Sequence, residues 1–261
     1  MITSVSNTHV KYLRSLCADP RYRRSERRFV IEGVRLVADA LAAGAKLQVA
    51  LYNSDQLSGT PLGAALLAQL VGRDNCHETS EAAVTAAAET RSPQGVVAAV
   101  ALTDLVPRPG LYLVLDAIQD PGNLGTLLRS AESAGVGLVL CSQGCADLFN
   151  PKVVRAAMGA HFSLPLRSDL SWDDLAHELS DTPLIYAAGA EAAMPYDAAD
   201  WRQPAALIIG SEAHGICPEG LALATHHISI PMLGKAESLN AAVAGSIILF
   251  EALRQRSRGR T

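Results

Sequence analysis

Beyond residue 110 the chain repeats one pattern of apolar and polar positions. Short unbroken apolar runs at 111–115, 136–141, 184–188 and 205–209, and Ile228 and Ile230 around Ser229, fit strands buried on both faces. Between them apolar residues recur at helical spacing, in segments starting at Leu124, Pro151, Trp172, Pro218 and Leu239. A strand followed by a helix, repeated in this way, predicts the α/β class, with a parallel sheet covered on both faces.

The first 102 residues carry a looser mixture. Helical patterns at 9–17 and 33–43 precede a strand at 47–52. Helical stretches at 61–71 and 80–88 and a strand at 96–101 follow. This part reads as a separate small α/β domain over 1–102. Pro107 and Pro109 mark 103–109 as a linker, which leaves 110–261 as the second domain.

Charge refines the picture through its distribution. The net charge of -4 argues against a surface that grips nucleic acid everywhere. Yet Lys11, Arg14, Arg21, Arg23, Arg24, Arg27 and Arg28 crowd the N-terminal segment, and Arg254, Arg256, Arg258 and Arg260 crowd the tail. Two basic ends on an acidic body suit an RNA held at defined places, because phosphate contacts supply affinity and register. The competing reading is a pair of solvated charge runs.

Several function classes drop out. No GxGxxG follows any strand, which excludes the usual dinucleotide fingerprint, and no GxxxxGK[ST] occurs, which counts against a nucleoside triphosphatase. The cysteines, Cys17, Cys76, Cys141, Cys145 and Cys217, are odd in number and form no CxxC pair. They indicate neither a disulfide framework nor a zinc site. His226 and His227 are adjacent, so in a strand they point to opposite faces, and no metal is expected. The N-terminus lacks the apolar core of a signal peptide and no long uninterrupted apolar run is present. The expectation is a cytoplasmic protein with no membrane partner.

Candidate chemistry lies in three segments. In Asp120–Gly135, DPGNLGTLLRSAESAG, a Pro-Gly turn leads from an apolar strand into a helix. Asn123 sits at the junction and Arg129 six residues further on, within a side chain's reach of the loop. In Ala205–Ile216, AALIIGSEAHGI, a strand runs straight into Gly210, Ser211 and Glu212, where glycine permits close backbone approach. In Ile230–Arg256, a loop with Gly234 leads to Ser238, Leu239 and Asn240, with Ser238 expected to cap a helix whose first turns carry the small residues Ala241, Ala242, Ala244 and Gly245. Taken alone, each of these residues also fits an ordinary cap, turn or core position.

Together, in this order and each on a strand-loop-helix context, the three segments resemble the signature motifs of the SpoU (TrmH) family of the SPOUT superfamily. These enzymes transfer a methyl group from S-adenosylmethionine to a ribose 2′-hydroxyl in RNA. The family commonly has Gly directly after the Glu of the second motif, whereas here Ala213 and His214 precede Gly215. The resemblance implies a SPOUT catalytic domain with a deep trefoil knot where the chain from roughly Ala205 to Ala244 threads an earlier loop. It also implies a homodimer with the first-motif helix and the helix near Leu239 at its interface. FVIEGVRLVADAL (29–41) and RSPQGVVAAV (91–100) resemble, less specifically, the L30e-like substrate-binding domain that precedes many SpoU catalytic domains.

By that resemblance Arg129 is the catalytic arginine. Asn123 and Asn240 position it and the ribose, Glu212 fixes it through a charged hydrogen bond, and Ser238 contacts substrate or the neighbouring loop. The cofactor, S-adenosylmethionine, lies bent in the knot against the backbone of Gly210, Ile230 and Leu239, with Ala187, Gly189 and Met232 nearby. The RNA-facing residues are Lys11, Arg23, Arg24, Arg28, Glu32 and Arg91, although Glu32 and Arg91 read equally well as polar groups flanking core strands. Ribosomal RNA, 23S included, is the leading substrate, because an L30e-like extension suits folded rRNA. A tRNA-directed enzyme is the alternative, and a non-catalytic RNA-binding assembly factor the alternative from a different class. Methylation of a base is disfavoured, since it needs an acid or base aimed at a ring nitrogen.

Overall fold

The structure, a computed structural model, describes residues 1–190, 192–234 and 238–258. Lys235, Ala236 and Glu237 of the third motif, Arg260 and the side chain of Arg258 lie outside the described residues. The chain forms two compact units, one of Met1–Thr103 with Phe149–Phe162, the other of Asp104–Leu148 with Ser163–Thr261.

The first unit runs α1 (Thr8–Ala18), α2 (Pro20–Glu26), β1 (Arg28–Glu32), α3 (Val34–Ala42), β2 (Leu47–Tyr52), α4 (Ser54–Ser58), α5 (Pro61–Leu70), β3 (Cys76–Glu78), α6 (Glu81–Ala87) and β4 (Val96–Ala101). Its four strands order as β1-β4-β2-β3, with β4 antiparallel to both neighbours and β3 parallel to β2. Helix starts follow local chemistry: Asn7, Asp19, Asn53, Thr60 and Ser80 each cap a helix with a side-chain oxygen. Alternation along β4 sends Val96, Ala98 and Val100 to one apolar layer and Val97 and Ala99 to the other.

The second half of the chain runs β5 (Leu111–Asp116), α7 (Pro121–Ser133), β6 (Leu138–Ser142), α8 (Pro151–Ala157), β7 (Leu166–Leu170), α9 (Trp172–Glu178), β8 (Leu184–Ala188), β9 (Met194–Pro195), β10 (Ala205–Gly210), α10 (Pro218–Leu223), β11 (His226–Ser229) and α11 (Ala241–Arg258). Seven strands order as β7-β6-β5-β10-β8-β11-β9, and every pairing is parallel. On one face Val114, Leu140, Ile185 and Ile208 pack with Leu175 of α9 and with Leu179 just after it. On the other, α11 lies against α7 and β10, and a Cβ on Gly245 would come within 2.4 Å of Leu127 Cδ2. Glycine is therefore what lets the two helices approach this closely.

The segment Phe149–Phe162, which contains α8, packs with the first unit although it follows β6 in sequence. Phe149 and Phe162 lie 5.2 and 6.1 Å, ring to ring, from Phe29. Arg155 bridges Glu32 at 2.9 Å and Glu89 at 2.8 Å.

The parallel sheet follows the predicted alternation, with differences at the short elements. Strands β1, β3, β7 and β9 are additional to those predicted, and the last helix starts at Ala241 instead of Leu239. Polar or two-residue strands such as Leu166–Leu170 and Met194–Pro195 carry too little apolar pattern to stand out. Among the described residues no helix is long and apolar enough to cross a membrane.

Candidate active site

Strands β5, β8, β10 and β11 lie side by side, and loops at their C-terminal ends gather the three motifs. The first begins with a helix cap. Asp120 Oδ1 accepts from the Asn123 backbone N–H at 2.8 Å, and Pro121 occupies the first helical position, where its missing N–H costs nothing. This fixes Asn123 in the first turn of α7.

The second motif is a closed turn. Ser211 N–H donates to the Gly215 carbonyl at 3.0 Å and Gly215 N–H returns to the Ser211 carbonyl at 2.8 Å. A Cβ on Gly210 would lie 2.2 Å from the Gly215 carbonyl carbon, so the glycine expected to admit a ligand first admits its own turn. The left-handed residue is Gly215, at φ 67°; Ala213 does not have a positive φ, and alanine serves there as well as the family's glycine.

In the third motif Asn240, not Ser238, caps the helix. Its Oδ1 accepts from the backbone N–H groups of Ala242 at 3.0 Å and Val243 at 3.2 Å. Ser238 is exposed at the cavity rim and stands two residues too early to cap.

These three starts meet. Asn123 Nδ2 donates to Glu212 Oε1 at 2.9 Å, Asn240 Nδ2 donates to Asn123 Oδ1 at 3.0 Å and to Glu212 Oε1, and Ala241 N–H reaches the same oxygen at 3.4 Å. One carboxylate oxygen thus ties the first turns of α7 and α11 to the second-motif loop. Where Glu212 was expected to accept from Arg129, it accepts from this set instead. Arg129 is exposed on α7 and has no partner among the described residues, because six residues along a helix rotate it about 120° from Asn123.

Beside the trio lies a cavity of about 460 Å³. Of the six residues expected to hold the cofactor, Gly189, Gly210, Ile230, Met232 and Leu239 line it. Ala187 does not: it is 1% exposed inside β8, and the next residue, Ala188, faces the cavity instead. Strand alternation accounts for the one-residue shift. Sequence reasoning missed Ile209, Ala244 and Ile248, which complete the apolar wall. The helical spacing of Ala244 and Ile248 was the signal available. Cys217, at the start of α10, is no nucleophile, since burial pushes its thiol up to about 11.

Of the expected RNA contacts, two are corrected. Arg23 is 3% exposed and donates to the carbonyls of Leu16 at 2.5 Å and Cys17 at 2.9 Å, capping the end of α1. A guanidinium so engaged is withdrawn from phosphate. Glu32 accepts from the N–H groups of Glu89 at 3.2 Å and Thr90 at 3.3 Å and from Arg155, so it anchors a loop. Arg28 is half-buried against Glu26 at 2.9 Å and the Tyr12 hydroxyl at 3.2 Å. Lys11, Arg24 and Arg91 are exposed.

The SpoU rRNA Methylase family model matches residues 110–250, and the MRM3-like substrate binding domain model matches residues 7–98. A 23S rRNA guanosine 2′-O-methyltransferase of Bacillus subtilis is 32% identical, over 95% of this chain and 97% of its own. The AdoMet-bound rRNA methyltransferase of Sinorhizobium meliloti superimposes with a TM-score of 0.82 at 31% identity, covering 97% of both chains. The AdoMet complex of the SpoU methyltransferase AviRb of Streptomyces viridochromogenes gives 0.84 at 28% identity, covering 96% of this chain and 98% of that one.

Proposed function

The chain belongs to the SpoU rRNA methylase family, and from that premise we propose that it transfers a methyl group from S-adenosylmethionine to a ribose 2′-hydroxyl of ribosomal RNA. The observation that carries this reading is the trio of Asn123, Glu212 and Asn240. They come from three separate segments and are hydrogen-bonded to one another at the edge of the cavity. Ribosomal RNA is favoured over tRNA by the substrate-binding domain match over the first unit and by the activity of the Bacillus relative.

The cavity fits the cofactor. Ile209, Ile228, Ile230, Leu239 and Ile248 offer an apolar slot for a purine, while Gly189 and Gly210 leave main-chain groups accessible. Bound there, S-adenosylmethionine supplies a sulfonium methyl that is already electrophilic. The side chains are left to orient the hydroxyl and to stabilise the negative charge that grows on its oxygen.

Arg129 suits the second task. Its guanidinium is always charged near neutral pH, and its fork matches a phosphate and an adjacent oxygen together. A guanidinium is unsuited as a literal base, because it is a cation with no lone pair to take up a proton. Arg129 therefore binds the neighbouring phosphate and the emerging alkoxide, and the phosphate helps to accept the proton. Asn240 and Glu212 hold the loops in place, and Ser238 at the exposed rim meets the substrate.

The same reading includes the trefoil knot over roughly Ala205 to Ala244, an L30e-like first unit that receives RNA through Lys11, Arg24 and Arg91, and a homodimer. Val243 and Phe250, both 48% exposed and two turns apart on α11, support the last. A cytoplasmic setting, where thiols stay reduced, accords with five free cysteines.

The test is transfer from labelled S-adenosylmethionine to separate pools of unmodified rRNA and tRNA. Incorporation into rRNA alone is expected. Incorporation into tRNA alone would move the substrate assignment to the other class.

A further inference from the structure

Asp116 ends β5 as a buried carboxylate, 4% exposed. A charge in such a place needs donors, and it has one on each side. Ser142 Oγ, at the end of β6, donates to Oδ1 at 3.1 Å. The backbone N–H of Cys217, on the return limb of the second-motif loop, donates to Oδ2 at 2.7 Å.

Each donor leads to one arm of the site. On the Ser142 side, the same hydroxyl accepts from Ala117 N–H at 3.0 Å, where the chain turns through a left-handed residue at φ 50°. Ile118 N–H then reaches Cys145 Sγ at 3.3 Å, which fixes the path to Asp120 and so to Asn123. On the Cys217 side, the anchored limb closes onto the Ser211–Gly215 turn that carries Glu212. Asp116 also stands opposite Gly210 in the β5–β10 ladder. The carboxylate therefore sits where the two loops diverge, and the 2.9 Å contact between Asn123 and Glu212 is where they meet again.

We infer that Asp116 is a positioning residue for methyl transfer. It touches no reactant, but through Cys217 N–H on one side and Ser142 with Ala117 N–H on the other it sets the distance between Asn123 and Glu212. An apolar residue would fill the strand end as well; a carboxylate is required because both loops present donors. The inference rests on the methyl-transfer reading for its catalytic consequence, and on geometry alone for the positioning.

The test uses the full-length protein and Asp116→Asn, which keeps size, removes the charge and replaces the acceptor facing Ser142 by an NH2, so that the hydroxyl must accept from residue 116 instead of donating to it. Two readouts separate the inference from the reading beneath it. In the first, the side-chain amide resonances of Asn123 and Asn240 shift in ¹⁵N spectra of the variant while that of Gln69 stays put. Unshifted amides overturn the positioning role whether or not the protein methylates RNA. In the second, kcat falls by about a hundredfold, with KM for S-adenosylmethionine changed less than about threefold. In a Glu212→Gln background the same substitution costs under about threefold more, because the contact it serves is already lost. A kcat within about threefold of wild type, or full additivity with Glu212→Gln, overturns the inference. Should Asp116→Asn not fold, Ser142→Ala removes one tether without touching the charge. It is expected to lower kcat about tenfold and to show the same non-additivity; wild-type kcat or additive loss in this variant overturns the inference equally.

Discussion

At the scale of single residues, Arg129, exposed and without a partner among the described residues, contrasts with the fully engaged Asn240. Asn240 uses its oxygen on two helix amides and its nitrogen on Asn123 and Glu212, so it holds structure, whereas the Arg129 side chain holds none of these loops. Replacing Arg129 by Lys keeps the charge and loses the fork. The expected outcome is a fall in kcat of about a hundredfold at unchanged melting temperature, read by steady-state transfer and calorimetry. Near-full activity in Arg129→Lys would reduce its role to a point charge. That Asn123, Glu212 and Asn240 come together was legible in the sequence because the motifs preserve order and context. Their hydrogen-bond partners were not, since helical rotation and the turn at Gly215 decide them and neither is written in spacing alone.

At the scale of elements, two glycines determine how the site is assembled. Gly245 permits the close packing of α11 on α7; in Gly245→Ala a Cβ 2.4 Å from Leu127 Cδ2 forces the helices apart. The expected cost is about 1–3 kcal/mol, measured as a lower midpoint in chemical denaturation. Gly210 admits the return limb of its own turn, and Gly210→Ala sets a methyl 2.2 Å from the Gly215 backbone. That turn lines the cavity, so calorimetry should record S-adenosylmethionine affinity falling by about tenfold or more, with the unfolding midpoint falling further than in Gly245→Ala, because the obstacle is backbone and not the end of a side chain. The long parallel strands were readable as unbroken apolar runs. The cap at Asn240 was not, because Ser238 is an equally good capping residue by type and only the hydrogen bonds separate them.

At the scale of the whole molecule, some of the N-terminal charge is spent on holding the fold. Arg23 is buried against the end of α1 while Arg24, beside it in sequence, is exposed. Arg24→Ala is expected to flatten the salt dependence of RNA binding by about one unit of slope. Arg23→Ala is expected to destabilise by about 1–3 kcal/mol, through the Leu16 and Cys17 carbonyls it strands, without changing that slope. Composition could not separate two adjacent arginines; burial does. Nor did the sequence reveal that Phe149–Phe162 packs with the first unit, since its aromatic residues read equally well as core of either half.

The central claim is that the trio, the cavity and Arg129 together methylate a ribose oxygen. The most direct measurement digests rRNA labelled by the protein to nucleosides and locates the methyl group by mass spectrometry. A label retained on the sugar when the glycosidic bond is broken, in a 2′-O-methylnucleoside lost in Arg129→Ala, is the predicted result. A label that leaves with the base would contradict the account.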